Sequence, residues 1–190
     1  MKKIIIICFS LTLFFCQKSK NVEVVKKLGA ITTSDLAKGV LYEVNIRQFT
    51  REGTFNALAK ELPKIKGLGV NILWLMPTYP ISTTKSKGPL GSYYAVSDYK
   101  GVNPEYGTLK DLKHLVNKAH QLGMFVIFDW VPGHTGWDHI WIKEHPEFYL
   151  KNALGEIIDP IDPRTGESFG WTDVADLNYD NFSMRKAMKE

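Results

Sequence analysis

From Val40 onward, apolar segments alternate along the chain with segments in which apolar residues recur at helical spacing. The stretch VLYEVNIRQF, residues 40–49, alternates apolar and polar positions and is rich in β-forming residues, so it is predicted to be a strand. Two further stretches, VNILWLM at 70–76 and MFVIFDWV at 124–131, are apolar almost throughout. Such runs are typical of strands that are covered on both faces, as in a parallel sheet.

Two amphipathic helices are predicted between these strands. The first has Thr54 as its N-cap and Pro63 in its interior, where a kink or an early end is expected. The second begins at Thr108 with a near capping box completed by Asp111, and Gly123 is a good stop after its last turn. The apolar positions at helical spacing are Phe55, Leu58, Leu62, Ile65 and Leu68 in the first helix and Leu109, Leu112, Val116, Ala119 and Leu122 in the second.

The order of elements predicts the topology of the sheet. Strand, helix, strand, helix and strand, followed by a long segment and the start of a helix at 182–190, indicate parallel strands joined by right-handed crossovers. A doubly wound sheet is disfavoured because no glycine-rich phosphate turn follows the first strand. The long polar segments instead follow the second and third strands, at 78–107 and 132–180, where a barrel carries its functional loops. We therefore predict an α/β fold: an incomplete (β/α)8 TIM barrel, about the first three strand–helix units, with a small inserted segment at 132–180.

The predicted barrel part, residues 40–190, is short for this architecture. It contains 151 residues, whereas a complete barrel takes about 250. We therefore expect the chain to be the N-terminal piece of a longer protein.

The formal net charge of +4 is concentrated near the N-terminus. Six lysines and one glutamate precede Leu28, so the rest of the chain has 18 basic and 19 acidic residues. Domains that bind nucleic acid carry a basic face in their folded part, and this balance provides none. Nucleic acid is therefore not an expected partner.

The first sixteen residues have the pattern of a signal peptide. Two lysines precede a mainly apolar run that is too short to span a bilayer, for which about 20 residues are needed. The run ends at Cys16 and resembles a bacterial lipoprotein signal in which the cysteine is lipidated, although Phe15 stands where a small residue is usual. We expect a lipoprotein-type signal at 1–16, a tether at 17–39 and a cell-envelope location, periplasmic or on the outer surface, with a membrane contact only through this anchor. The alternatives are a plain secretory signal, which makes the protein secreted, and an uncleaved anchor.

The stretch FDWVPGHTGWDH, residues 128–139, begins at the C-terminal end of the third predicted strand, which is the chemical face of a barrel. A metal site would use His134, Asp138 and His139, but no second cluster of metal ligands supports it. A nucleophilic triad is disfavoured because the part beyond the signal has no cysteine and no G-x-S-x-G turn. The other interpretations are an ordinary polar loop, in which Asp129 bonds the backbone, and a sugar subsite.

A sugar subsite combines aromatic platforms for the apolar ring faces with hydrogen-bonding side chains for the hydroxyl groups. The segments that follow the predicted strands interleave aromatic residues with aspartate and histidine. These aromatic residues are Tyr79, Tyr93, Tyr94, Trp130, Trp137, Trp141 and Trp171.

Several ordered motifs, which together cover nearly all of 40–190, resemble the α-amylase family of glycoside hydrolases. LYEVNIRQFT and GVNILWLMP are similar to its first two barrel strands, and WTDVADLNYDN is similar to the segment that closes the small domain inserted after the third strand. In GSYYAVSDYKGVNPEYGTLKDLKHLV, Tyr94 takes the place of the tyrosine that stacks on the sugar in the reacting subsite. In FDWVPGH, Asp129 takes the place of an aspartate that braces an arginine on the next strand, and His134 that of a histidine that bonds the hydroxyls of the reacting sugar.

The resemblance implies a retaining enzyme that acts on α-glucosidic bonds of starch, maltodextrin or related α-glucans through a covalent glycosyl intermediate. In the family the nucleophile, the acid and a third carboxylate lie on the fourth, fifth and seventh strands. No catalytic residue is therefore expected in this chain, and the chain alone is expected to be inactive. The alternatives are a transglycosylase of the same family, a non-catalytic carbohydrate-binding or transport-accessory relative, and a metal-dependent hydrolase on the same barrel.

Gly133 departs from the family pattern. Many members have an asparagine here that helps to bind a structural calcium ion, and glycine offers no side-chain oxygen to a hard cation. Calcium is therefore doubtful at this site, no metal ligand is assigned, and no other cofactor is expected.

Overall fold

The structure is a computed structural model that describes residues 29–190. The signal peptide predicted at 1–16 and the lipidation predicted at Cys16 lie outside the described residues. Within the described part of the chain, no helix combines the length and the apolar character needed to cross a membrane.

A three-stranded parallel sheet lies at the centre of the structure, with the strand order β1-β2-β3. Its strands are β1 (Leu41–Val44), β2 (Ile72–Leu75) and β3 (Phe125–Phe128). The register pairs Leu41 with Ile72 and Ile72 with Phe125, so the three strands begin level and their C-terminal ends meet at one edge. Helices connect successive strands, as the alternation of patterns predicted.

Two long helices form the crossovers between these strands and pack against each other. They are α3 (Phe55–Gly67) and α4 (Leu109–Gln121). The predicted caps are present: the Thr54 hydroxyl accepts the Ala57 N–H, and Thr108 and Asp111 form a complete capping box. The apolar stripes of both helices and the sheet make the main core, which includes Leu58, Leu62, Ile65, Leu73, Leu75 and Leu115.

The strand predicted at 40–49 is shorter in the structure, because β1 ends at Val44. Residues Ile46–Phe49 form the short helix α2, in which the Phe49 N–H donates to the Asn45 carbonyl at 3.0 Å. The apolar residues at 46 and 49 are three positions apart, which places them on one side of a helical turn, whereas a strand would turn them to opposite faces.

Helix α3 continues through Pro63, where an early end was one of the expected outcomes. Proline removes one hydrogen bond from the helix interior. Leu62 and Ile65, on either side of it, are almost completely buried in the main core, and this packing keeps the segment helical.

The segment predicted to be a tether contains a helix in its described part. Helix α1 (Thr33–Lys38) is begun by a capping box between Thr32 and Asp35, and none of its residues is buried. After it, the Val40 N–H donates to Asn71 Oδ1 at 2.6 Å, which attaches the chain to the segment that leads into β2.

The segment after β3 has an interior of its own. Its elements are β4 (His134–Gly136), α5 (Trp141–Glu144), a 3-10 turn (Pro146–Phe148), β5 (Val174–Asp176) and, beyond it, α6 (Phe182–Ala187). Strands β4 and β5 form an antiparallel pair. A second core, separate from the main one, is formed by Phe148, Tyr149, Ala175, Leu177 and Met184.

The loop between β2 and α4, residues 78–107, crosses directly over β4. The Gly136 N–H donates to the Val96 carbonyl at 2.7 Å, and the Ser82 N–H donates to the Ala95 carbonyl at 2.7 Å. A Cβ atom on Gly136 would overlap the Ser82 side chain. Only glycine permits this approach, which brings the loop against the inserted segment.

Candidate functional site

A cavity of about 410 Å³ lies between the β2–α4 loop and the inserted segment. Its lining consists of Lys87, Ser92 and Tyr94 from the loop and of His134, Trp171, Asp173 and Val174 from the inserted segment. We call this space the Tyr94 cavity. Its two walls meet because of the close approach at Gly136 described above.

Tyr94 and His134, two of the predicted site residues, share this cavity and contact each other. His134 Nε2 lies 3.2 Å from the Tyr94 carbonyl oxygen, so this nitrogen carries a proton and donates it. Burial lowers the pKa of His134, while the Tyr94 carbonyl and Asp173 act in the opposite direction. The imidazole is therefore neutral at neutral pH, and its Nδ1 is an acceptor.

Asp129, the third predicted site residue, stands behind the cavity and not in its lining. It follows β3 directly, and its N–H donates to the Leu75 carbonyl at 2.9 Å. The Tyr94 hydroxyl donates to Asp129 Oδ2 at 3.3 Å. Burial raises the pKa of Asp129, and burial together with Asp129 raises the pKa of Tyr94 to about 12. The phenol therefore stays neutral, and its hydrogen bond links the Asp129 carboxylate to the lining of the cavity.

An ion pair that the sequence interpretation did not identify joins the two walls of the cavity. Lys87 Nζ lies 3.1 Å from Asp173 Oδ1 and donates to the Gly170 carbonyl at 2.7 Å. Asp173 belongs to the WTDVADLNYDN motif, which was the one available signal for it. Lys87 lies in a polar loop rich in Ser, Thr, Lys and Gly, where nothing in the local pattern marked it.

The aromatic residues predicted to suit a sugar subsite divide into two groups. Tyr94 and Trp171 line the cavity, and Tyr93 packs against Tyr94 with ring centroids 5.1 Å apart. The others lie outside the cavity lining: Tyr79, Trp130, Trp137 and Trp141.

The three residues of the alternative metal site do not converge. The Asp138 carboxylate accepts the Thr83 N–H at 2.8 Å. His139 is only 4% exposed, and its Nδ1 accepts a backbone N–H at 3.2 Å. His134 is engaged in the Tyr94 cavity. In the described part of the chain there is no group of three or more His, Cys, Asp or Glu side chains that could hold a metal ion.

Gly133 stands where the family resemblance implies a calcium ligand. Gly133 has no side-chain oxygen, and its carbonyl accepts the Leu177 N–H at 3.1 Å. Asp176 is partly buried, and its N–H donates to the Ile158 carbonyl at 3.0 Å. Burial raises the pKa of Asp176, as does the nearby charge of Asp159.

Comparison with known proteins relates this geometry to one family. The family profile described as "Alpha amylase, catalytic domain" matches residues 18–154. The chain is 31% identical over 176 residues to Alpha-amylase 3 of Dictyoglomus thermophilum, with 80% of this chain and 32% of that protein aligned. It is 39% identical over 110 residues to a trehalose synthase of Thermus thermophilus, with 55% of this chain and 11% of that protein aligned. The crystal structure of an alpha-amylase from Lactobacillus plantarum matches with a TM-score of 0.75 at 39% identity, over 82% of this chain and 35% of that chain.

These matches confirm the family that the motifs indicated and, with it, the TIM-barrel class of fold. The chain spans about a third of the length of the two α-amylases with which it aligns. From its family profile, its relatives and its parallel sheet, the chain belongs to the α-amylase family of glycoside hydrolases.

Proposed function

We propose that the protein that carries this chain acts on the α-glucosidic bonds of starch, maltodextrin or related α-glucans. In this proposal, residues 40–190 supply three strand–helix units of the catalytic barrel, with 132–180 as its inserted small domain. The observation that carries it is that Tyr94 and His134 line one cavity and Asp129 stands behind Tyr94. A hydrogen bond of 3.3 Å joins Tyr94 to Asp129, and one of 3.2 Å joins His134 to Tyr94.

The chemistry of these groups suits a neutral sugar. The ring of Tyr94 offers an apolar face to a pyranose, and the neutral His134 offers an acceptor to a hydroxyl group. Asp129 fixes the Tyr94 hydroxyl from behind. These residues hold a sugar and do not cleave it. Hydrolysis with retention of the sugar's configuration needs a nucleophilic carboxylate and a carboxylic acid about 5–5.5 Å apart. We therefore propose that the 190-residue chain by itself binds α-glucan without hydrolysing it.

Hydrolysis and glycosyl transfer both fit this half of a subsite. Each reaction begins by holding a glucose unit and forming the same covalent glycosyl intermediate. Relatives named as an alpha-amylase and as a trehalose synthase both align with the chain, which supports a proposal that includes both reaction types.

The first test measures the binding of trisaccharides to the 190-residue chain by saturation-transfer NMR. We expect binding of maltotriose and not of cellotriose, because Tyr94 and His134 are proposed to fit the α-linked unit. We expect His134→Ala to weaken maltotriose binding about tenfold, since a tenfold change corresponds to about 1.4 kcal/mol, within the range of a buried hydrogen-bonding group. No reducing sugar is expected to appear on incubation with starch.

His114→Gln is the control, because His114 is exposed on α4 and is absent from the lining of the cavity. Equal binding of both trisaccharides, or unchanged maltotriose binding by His134→Ala, would contradict the proposed function. Release of reducing sugar by the chain alone would contradict the assignment of a purely binding role.

A second prediction concerns calcium. We propose that this chain does not bind a calcium ion at Gly133, where the family resemblance implies a ligand. The melting temperature of the wild-type chain is expected not to change with millimolar calcium. Gly133→Asn restores the missing side-chain oxygen, and its melting temperature is expected to rise by about 3 °C in calcium. Gly133→Ala and an equal concentration of magnesium are the controls. A calcium-dependent rise in the wild-type protein would refute this proposal.

A further inference from the structure

We propose that the surface at the beginning of the three parallel strands docks on an anionic phospholipid membrane and turns the Tyr94 cavity away from it. We call this surface the Leu68 face. Its exposed apolar residues are Leu36, Val40, Leu41 and Leu68. The inference goes beyond the proposed function and does not depend on it, because the cavity takes no part in the contact.

The strands and the long helices present their ends to one side of the molecule at the Leu68 face. The three strands begin level, and helices α3 and α4 both end on this side of the sheet. The two helix ends are joined where Lys66 Nζ donates to the Gly123 carbonyl at 3.4 Å. Lys64 and Leu68 line one surface hollow, which also touches Tyr42 of β1.

Helix α1 lies on the same side, next to the start of β2. A Cβ atom on Gly39, directly after α1, would overlap the Ile72 side chain. Leu36 in α1 therefore shares this side with Val40 and with the start of β1. The four apolar side chains of the Leu68 face are between 46% and 68% exposed. An exposed apolar group with a polar rim is typical of a surface that binds a protein or a membrane.

Lysines surround these apolar residues. They lie in the last turns of three helices: Lys38 in α1, Lys64 and Lys66 in α3, and Lys118 in α4. The acids of the same helices are Asp35, Glu61 and, in the first turn of α4 at its opposite end, Asp111. The face therefore has a small positive surplus.

This combination favours an anionic bilayer as the partner. A lysine near anionic headgroups is attracted to them, and its apolar stem covers neighbouring apolar surface. Binding to a bilayer surface adds the burial of apolar side chains to this attraction, so a small local surplus of charge is enough. Nucleic acid, in contrast, needs an extended basic face.

The path of the chain agrees with this orientation. The chain enters the described part at Gly29, shortly before α1. The residues before it include six lysines, one glutamate and the signal predicted at 1–16. A chain attached to a membrane through that segment meets the bilayer with the Leu68 face. The Tyr94 cavity lies beyond the opposite ends of the strands, where Asp129 follows β3, so it stays open to a polysaccharide in solution.

The test measures which side of the protein touches the lipid. The 190-residue chain with Cys8→Ser and Cys16→Ser receives one new cysteine, either Leu68→Cys or Leu154→Cys, to which a fluorophore is attached. Leu154 is the matched control, because it is an exposed leucine at a turn of the inserted segment, beyond the opposite ends of the strands. On vesicles of phosphatidylserine and phosphatidylcholine that contain a spin-labelled lipid, we expect quenching of the label at 68 and not of the label at 154.

The dependence on charge is tested on the same labelled chain. Lys38→Gln combined with Lys64→Gln is expected to lower the docking equilibrium constant about tenfold or more, since each lysine near the surface contributes to the attraction. Lys143→Gln combined with Lys151→Gln removes two exposed lysines of the inserted segment and is expected to leave the quenching unchanged. In 1 M salt, where charges are screened within about 3 Å, quenching at 68 is expected to fall.

Sedimentation with the vesicles separates attachment from docking, because the apolar N-terminal segment can hold the chain on a bilayer by itself. Equal quenching at 68 and 154 in the sedimented chain would overturn the proposal. The same quenching at 68 on vesicles of phosphatidylcholine alone would also overturn it, as would a chain that does not sediment with either vesicle. Each of these results leaves the proposed function intact, because maltotriose binding is measured without a membrane.

Discussion

Gly136→Ala is expected to lower the free energy of unfolding by about 3 kcal/mol, at the upper end of the usual range for overpacking. The new methyl group would overlap the Ser82 side chain and lie 3.2 Å from the Ala95 carbonyl oxygen. Ser82 is 1% exposed and has no room to withdraw. The loop must therefore move away from β4, and because it carries Tyr94, maltotriose binding is expected to weaken as well. Urea unfolding followed by tryptophan fluorescence measures the first effect.

Gly133→Ala is the matched control at the start of the same segment. A Cβ atom at Gly133 meets no atom within 4 Å, so the substitution causes no overlap. Its effect on the free energy of unfolding is expected to be neutral or slightly stabilising, because alanine restricts the unfolded chain. Equal stabilities of the two variants would show that the loop does not approach β4 as closely as described.

The second large effect is a loss of stability in acid that depends on His139. Burial lowers the pKa of His139 from 6.5 to about 4, against the opposing charges of Asp98 and Asp138. The unfolded chain therefore takes up a proton at higher pH than the folded chain does, so the free energy of unfolding rises with pH in this window. The contribution is complete above pH 6.5 and is lost as the pH falls to about 4. The expected loss is about 3 kcal/mol.

Urea unfolding between pH 7 and pH 4 measures this loss. His139→Asn removes the titrating ring and is expected to flatten the profile, with a smaller slope left by His134, whose pKa is lowered by burial in the same direction. His114→Gln, at an exposed site, is expected to keep the wild-type profile. A His139→Asn variant with the full wild-type slope would exclude His139 as the source.

The sequence pattern predicted the sheet and its crossovers because their signals are local. Thr108 and Asp111 lie three positions apart and form the capping box that the pattern indicated. The end of β1 was predicted wrongly because the β-forming residues of 40–49 were weighted above the three-residue spacing of Ile46 and Phe49, which is that of a helical turn. Whether the helix survives Pro63 depends on its burial against the sheet, which no local pattern contains.

The residues of the candidate site were likewise predicted only in part. Tyr94, Asp129 and His134 were predicted from family motifs, and the structure brings them together. The contacts of Lys87 that join the two walls were missed because they link residues remote in sequence: Lys87 and Gly170, which bond each other, are 83 positions apart. Such a contact follows from the path of two long loops, and neither loop has a periodic pattern that fixes that path.

The second core has a consequence for how this protein can diversify. Phe148, Tyr149 and Leu177 pack with one another and not into the interior beneath the sheet. An inserted segment grafted from a homologue would bring its own buried core, so the side chains between the sheet and the long helices need not be repacked. The graft would still have to match the β2–α4 loop, where Ser82 meets Gly136, Thr83 meets Asp138 and Lys87 meets Gly170. One wall of the Tyr94 cavity could thus be exchanged while the sheet and its two long helices stay unchanged.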